Sequence, residues 1–101
     1  MPSFAADWYW VCSKNGGSIY IDNSSVQKTP EYAVIWSKLD LPNGDTMVSQ
    51  IFVNRNPKSW TLMDAAIYRD GLCISSRTYN SPNWQNIRPG DVMDNIYDLI
   101  W

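Results

Sequence analysis

Three Asx-Gly pairs punctuate this chain, at Asn15-Gly16, Asn43-Gly44 and Asp70-Gly71. Each falls between short runs in which apolar and polar residues alternate. The tight turns that match strand twist need positive φ, which Gly, Asn and Asp tolerate best. Each pair therefore predicts a reversal between two antiparallel strands. The alternating runs place strands at 8–12, 18–22, 32–40, 46–54, 59–68 and 72–79. Successive strands joined by tight turns form an antiparallel meander.

The clearest strand is "YAVIWSKLD", residues 32–40. Ala33, Ile35, Ser37 and Leu39 read as its core side. Val34, Trp36 and Lys38 then face a second covering layer or a partner. In the first strand Trp8, Trp10 and Cys12 share one side. In the fifth, Trp60, Leu62 and Asp64 stand opposite Thr61, Met63 and Ala65. Asp64 is odd for a core side and reads as an outward or edge-strand charge. The polar stretch after Asp22 favours a short turn of helix through Asx-type bonds, with Val26 plugging the core.

The stretch "PGDVMDNIYDLIW" changes the period. Pro89-Gly90 breaks the chain, and Asp91 is a good N-cap, with Asp94 three residues on in a capping-box position. Val92, Met93, Ile96, Leu99 and Ile100 form one stripe at helical spacing. So short a helix is marginal alone in water and needs the sheet beneath it. The expected fold is α+β: an antiparallel six-stranded meander sheet with one C-terminal α-helix packed on one face.

The chain has 101 residues, one domain by length, with 45% hydrophobic and 18% charged residues. That balance argues against disorder. Residues 7–101 are read as the domain. In residues 1–6, Ser3 and Ala5 fit a signal-peptidase site, so this piece is a signal-peptide remnant, an added start or an ordinary N-terminus. The net charge is −2 and the eight basic residues are scattered. No basic stripe tracks a phosphate backbone, which argues against nucleic acid. No apolar run approaches the ~20 residues of a membrane span.

The chain has no histidine. That removes the commonest acid–base group at neutral pH and every Ser-His or Cys-His arrangement. Cys12 and Cys73 alone cannot build a zinc site. Asp40 and Asp45 flank one turn and could hold a cation weakly, but solvated turn residues are the simpler reading. We therefore read a non-enzyme with no catalytic residues, no metal site and no cofactor. Trp8, Trp10, Trp36 and Trp60 form a candidate binding platform. Arg55, Lys58 and Trp60, close together in "NRNPKSW", join Trp36 as the candidate protein-binding surface, because Arg and Trp are favoured in interfaces. Cys12 and Cys73 could pair if the chain is exported, but hairpin order keeps the first and sixth strands apart unless the sheet closes, so free or buried thiols are the preferred reading.

Four stretches carry a family resemblance: "DWYWV", then "IYIDNSSV" from Ile19, then "VIWSKLD", then "WQNIRPGD" leading into "IYDLI". In that order they resemble the surface-adhesin protein E domain of bacterial envelope proteins. The resemblance implies an antiparallel sheet carrying a C-terminal helix. It also implies export to the periplasm, outer membrane or cell surface. The function it implies is non-enzymatic, adhesin-like binding of host or envelope proteins, with a homodimer as an expected state. The alternative is a small periplasmic or secreted domain that binds or acts on a small molecule. In the family a cysteine at the helix end ties to a middle strand. Here Trp101 stands near that place and "FVNRN" has no cysteine. Trp101, packed towards the sheet, is expected to take over part of the anchoring.

Overall fold

The computed structural model describes residues 7–14 and 16–101. The expected signal remnant at 1–6 and the first residue of the Asn15-Gly16 turn lie outside them. The hairpin chemistry is met at the other turns. Asp70 and Gly71 both take positive φ, at 52° and 79°. In the 41–45 turn the amide of Leu41 donates to the Asp45 carbonyl at 2.8 Å, and Gly44 alone takes positive φ, at 92°.

Among the described residues, eight strands form one antiparallel sheet. They are β1 (Trp8–Lys14), β2 (Gly17–Asp22), β3 (Gln27–Lys28), β4 (Tyr32–Asp40), β5 (Thr46–Asn54), β6 (Ser59–Arg69), β7 (Leu72–Thr78) and β8 (Gln85–Asn86), followed by α1 (Val92–Ile100). The main order is β1-β2-β4-β5-β6-β7, while β3 pairs with β4 and β8 with β6. The six long strands thus follow one another across the sheet as expected. The strand count is eight, not six. Both additions are two-residue strands in polar segments, where pairing with a neighbour and not hydrophobic alternation makes the strand. The 23–31 segment accordingly holds a turn and β3 in place of a turn of helix.

One side of the sheet carries the core. Ala33 faces Val53 and Ile35 faces Ile51 across β4 and β5, and these four join Ile21, Ile87, Ile96 and Ile100 as the buried cluster. Val26 packs against it. The side of β4 expected to point inward does so.

Three bulges alter the faces. One at Val11 sets Cys12 opposite Ile19, on the core side and away from Trp8 and Trp10. A second, at Met63, pairs Leu62 with Ile51 but Asp64 with Gln50. An inserted residue reverses which side later residues face. Trp60 and Leu62 therefore share the core side with Ala65 and Ile67, and Asp64 moves to the other side, where Thr78 Oγ1 donates to it at 3.4 Å. A third bulge lies in the β6–β7 pairing. Cys12 and Cys73 are free, on strands at opposite edges of the sheet.

Helix α1 lies on the core side and buries Ile96 and Ile100, with Val92 and Met93 half-buried. Leu99, expected in the stripe, is 46% exposed. It lies about 60° of helical rotation beyond the Ile96–Ile100 line, past the edge of the contact. Asp91 is the N-cap in extended conformation, but its carboxylate makes no cap bond within the helix and accepts from the Arg88 amide at 3.2 Å. The reach-back bond comes from Asp94, which accepts the Gly90 amide at 3.1 Å and the Lys58 ammonium at 2.8 Å. At the other end, Lys28 Nζ donates to the Ile100 carbonyl at 2.6 Å, a cation at the negative pole of the helix. Trp101 Nε1 donates to the Thr29 carbonyl at 3.0 Å and its ring lies 5.0 Å from that of Tyr97.

Candidate binding face

Among the described residues, no helix or strand covers the side of the sheet opposite α1. Register places Trp10, Tyr20 and Lys38 in one row across it, and Trp36, Gln50 and Asp64 in the next. Trp8, Val34 and Phe52 share that side. The face is unusually aromatic because strand alternation sends one Trp or Tyr after another to the same side.

Contacts on this face fix several of the rings. Lys38 Nζ sits 4.6 Å from the Tyr20 ring centre and 5.1 Å from that of Trp8, within cation–π range. Trp10 is 54% exposed, yet its indole N–H donates to Ser13 Oγ at 3.1 Å, and that hydroxyl is 2.8 Å from Ser18 Oγ. Phe52 stacks on Tyr32 at 5.1 Å and meets the edge of Trp84 at 5.5 Å. Tyr32, Tyr79 and Trp84 are all exposed. At the β6 margin lies a cavity of 290 Å³ walled by Phe52, Met63, Tyr79, Pro82 and Trp84.

The four residues singled out as a protein-binding surface do not form one cluster. Lys58 pairs with Asp94 and lies 4.4 Å over the Tyr97 ring. Arg55 Nη1 donates to the Pro30 carbonyl at 3.2 Å, its carbonyl accepts the Tyr97 hydroxyl at 2.9 Å, and its guanidinium stands 5.8 Å from the Trp101 ring. These two cations belong to the attachment of α1. Trp60 packs against the core, while Trp36 lies on the open side with the sheet between them. Of the four-tryptophan platform, Trp8, Trp10 and Trp36 share the open face and Trp60 does not. Tyr20, Phe52, Tyr79 and Trp84 belong to the face and its margin but were missed. For Tyr20 and Phe52 the alternation was the available signal. For Trp84, outside every expected strand, there was none, and Tyr79, expected as the last residue of the 72–79 strand, lies just beyond β7.

Asp45 and Asp22 are engaged by partners of their own. Asp45 is held by Arg69 through two bonds of 2.9 Å, and the guanidinium keeps its carboxyl below the usual range. The cation beside that turn is therefore the chain's own. Asp22 is fully buried. Burial pushes its carboxyl up, but the Ser24 and Ser25 hydroxyls and the Asp7 and Ser24 amides outweigh this and leave it below its ordinary value. Among the described residues no three His, Cys, Asp or Glu side chains gather as a metal site, and no helix is long and apolar enough to cross a membrane.

Comparison with protein-family models, curated proteins and solved structures gave no match.

Proposed function

We propose that this chain is a non-enzymatic, adhesin-like binding module of the bacterial envelope or surface, taking a protein partner on the aromatic face opposite α1. One observation carries the reading: among the described residues no helix or strand lies over the side of the sheet that carries Trp8, Trp10, Tyr20 and Trp36, and Trp10 there is 54% exposed. Monomeric proteins rarely leave large apolar patches exposed unless something binds there. Trp and Tyr are the side chains on which interface energy concentrates. Lys38, Gln50 and Asp64 supply polar groups among the rings, which suits an interface that forms and dissociates. The sequence resemblance adds the compartment and the partner class, host matrix or envelope proteins.

Binding of the purified chain to immobilised laminin and fibronectin by surface plasmon resonance tests this. Saturable binding to at least one is expected, weakened tenfold or more in Trp10→Ala, the loss expected of a hot-spot ring. Leu99→Ala, exposed on the opposite side, should bind as wild type. Binding to neither protein, or equal losses in both variants, overturns the proposal. The alternative, a domain that binds or acts on a small molecule, is favoured by the cavity at the β6 margin.

A further inference from the structure

The cavity exists because two strands share one edge of a third. Both β7 and β8 pair with the outer edge of β6, β7 at Asp64–Arg69 and β8 at Ser59 and Trp60. Neither pairs with residues 61–63, and Met63 is the bulged residue there. The connecting residues 79–84 must arch over this gap. The arch is tied at two points: the Tyr79 amide donates to the Met63 carbonyl at 3.0 Å, and the Asn83 amide donates to Thr61 Oγ1 at 2.9 Å. Beneath it, Phe52 is held between the stacked Tyr32 ring and the edge-on Trp84 ring. The pocket is thus formed by ordered walls before anything binds.

The geometry points to this pocket as the receptor for one neutral aromatic side chain, Phe, Tyr or Trp, presented by a protein lying on the open face. Size, charge and position argue together. At 290 Å³ the cavity stands at the foot of the roughly 300–1,000 Å³ range of small-molecule sites, enough for one ring and too small for a cofactor. No lining residue is charged, so an ion entering it would lose hydration with nothing opposite to replace it. The walls are aromatic faces and edges, a thioether and a proline, which favour offset or edge-on contact with another ring. Thr61 and Asn80 add the polar groups for a phenol or indole hydrogen. Phe52 belongs to the open face itself, so a partner docked there reaches the pocket without a gap. An aromatic anchor seated in such a pocket is the usual centre of an interface hot spot.

This rests on the binding-face reading, and the test is independent of any partner. Isotope-labelled wild-type protein is titrated with N-acetyl-tryptophanamide, N-acetyl-phenylalaninamide, N-acetyl-lysinamide and N-acetylglucosamine, read by amide and indole NMR shifts. The aromatic amides should give saturable shifts at the Trp84 indole and along residues 79–84, with dissociation constants on the order of millimolar. The lysine derivative should give none. Tyr79→Ser, an exposed arch residue, should weaken the aromatic amides at least fivefold while leaving the rest of the spectrum in place. Absence of saturable shifts, equal response to the lysine derivative, or no change in Tyr79→Ser overturns the proposal. So does tighter saturation by the sugar, which would make the pocket a carbohydrate site. Failure here with Trp10-dependent matrix-protein binding intact leaves the broader reading standing. The converse result isolates the pocket as a site of its own.

Discussion

Truncating Trp101 to alanine measures how α1 is held to the sheet. Trp101 follows the last helical residue and is half-buried against the core cluster. Its ring lies 5.0 Å from Tyr97 and beneath Arg55, and its indole N–H caps the Thr29 carbonyl at 3.0 Å. Removing a fully buried Trp or Phe side chain costs about 3–5 kcal/mol. For a half-buried ring about half applies, roughly 2 kcal/mol, and the lost hydrogen bond adds about 1 kcal/mol. The expected loss is about 3 kcal/mol. For a domain of this size each kcal/mol moves the midpoint by about 4–8 °C, so Tm should fall by roughly 12–24 °C. Trp101→Phe keeps most of the ring and loses only the N–H donor, so it should fall by about a third as much. Thermal unfolding followed by circular dichroism gives both values. Hydrogen exchange should show α1 amides losing protection before those of β4 and β5. A Trp101→Ala protein that melts within about 2 °C of wild type would refute the anchoring argument.

Two further outcomes follow from the packing and the charges. Ile96→Ala should cost about 2–5 kcal/mol in urea unfolding because Ile96 is buried. Leu99→Ala should change stability by less than about 0.5 kcal/mol, and equal losses would mean that the helix is rotated from the position described. Asp22 has a carboxyl held below its ordinary value of 3.8. A group depressed on folding contributes stability above its unfolded pKa and loses it as pH falls through the folded one. Stability should therefore decline from about pH 5 downwards, and Asp22→Asn should flatten that limb. The variant should also be about 1–3 kcal/mol less stable at pH 7, since the Asp7 and Ser24 amides and the Ser24 hydroxyl are among the donors to this carboxylate. An unchanged acid slope in urea titrations at pH 3–7 contradicts the assignment.

Local chemistry by itself determined much of this protein. Asp70-Gly71 takes positive φ at both residues because few other pairs do so cheaply, and that conformation reverses the chain wherever it occurs. The alternation of Ala33, Ile35, Val34 and Trp36 divides β4 into two sides under any packing. The Pro-Gly break, Asp91 and the Ile96–Ile100 spacing are likewise readable from neighbours in sequence. Tertiary structure decided what depends on partners distant in sequence. No local pattern marks the bulge at Met63, which comes from fitting β6 to β5, yet it moves Asp64 to the open face and leaves Trp60 in the core. Lys58 and Arg55 look like an exposed basic tip until α1 returns to engage Asp94 with one and Tyr97 with the other. The cavity under residues 79–84 arises because β7 and β8 share one edge of β6. The six long strands, their tight turns and the start of the helix follow from interactions within a few residues, whereas the short strands β3 and β8 and the candidate binding face are set by which elements meet across the sheet.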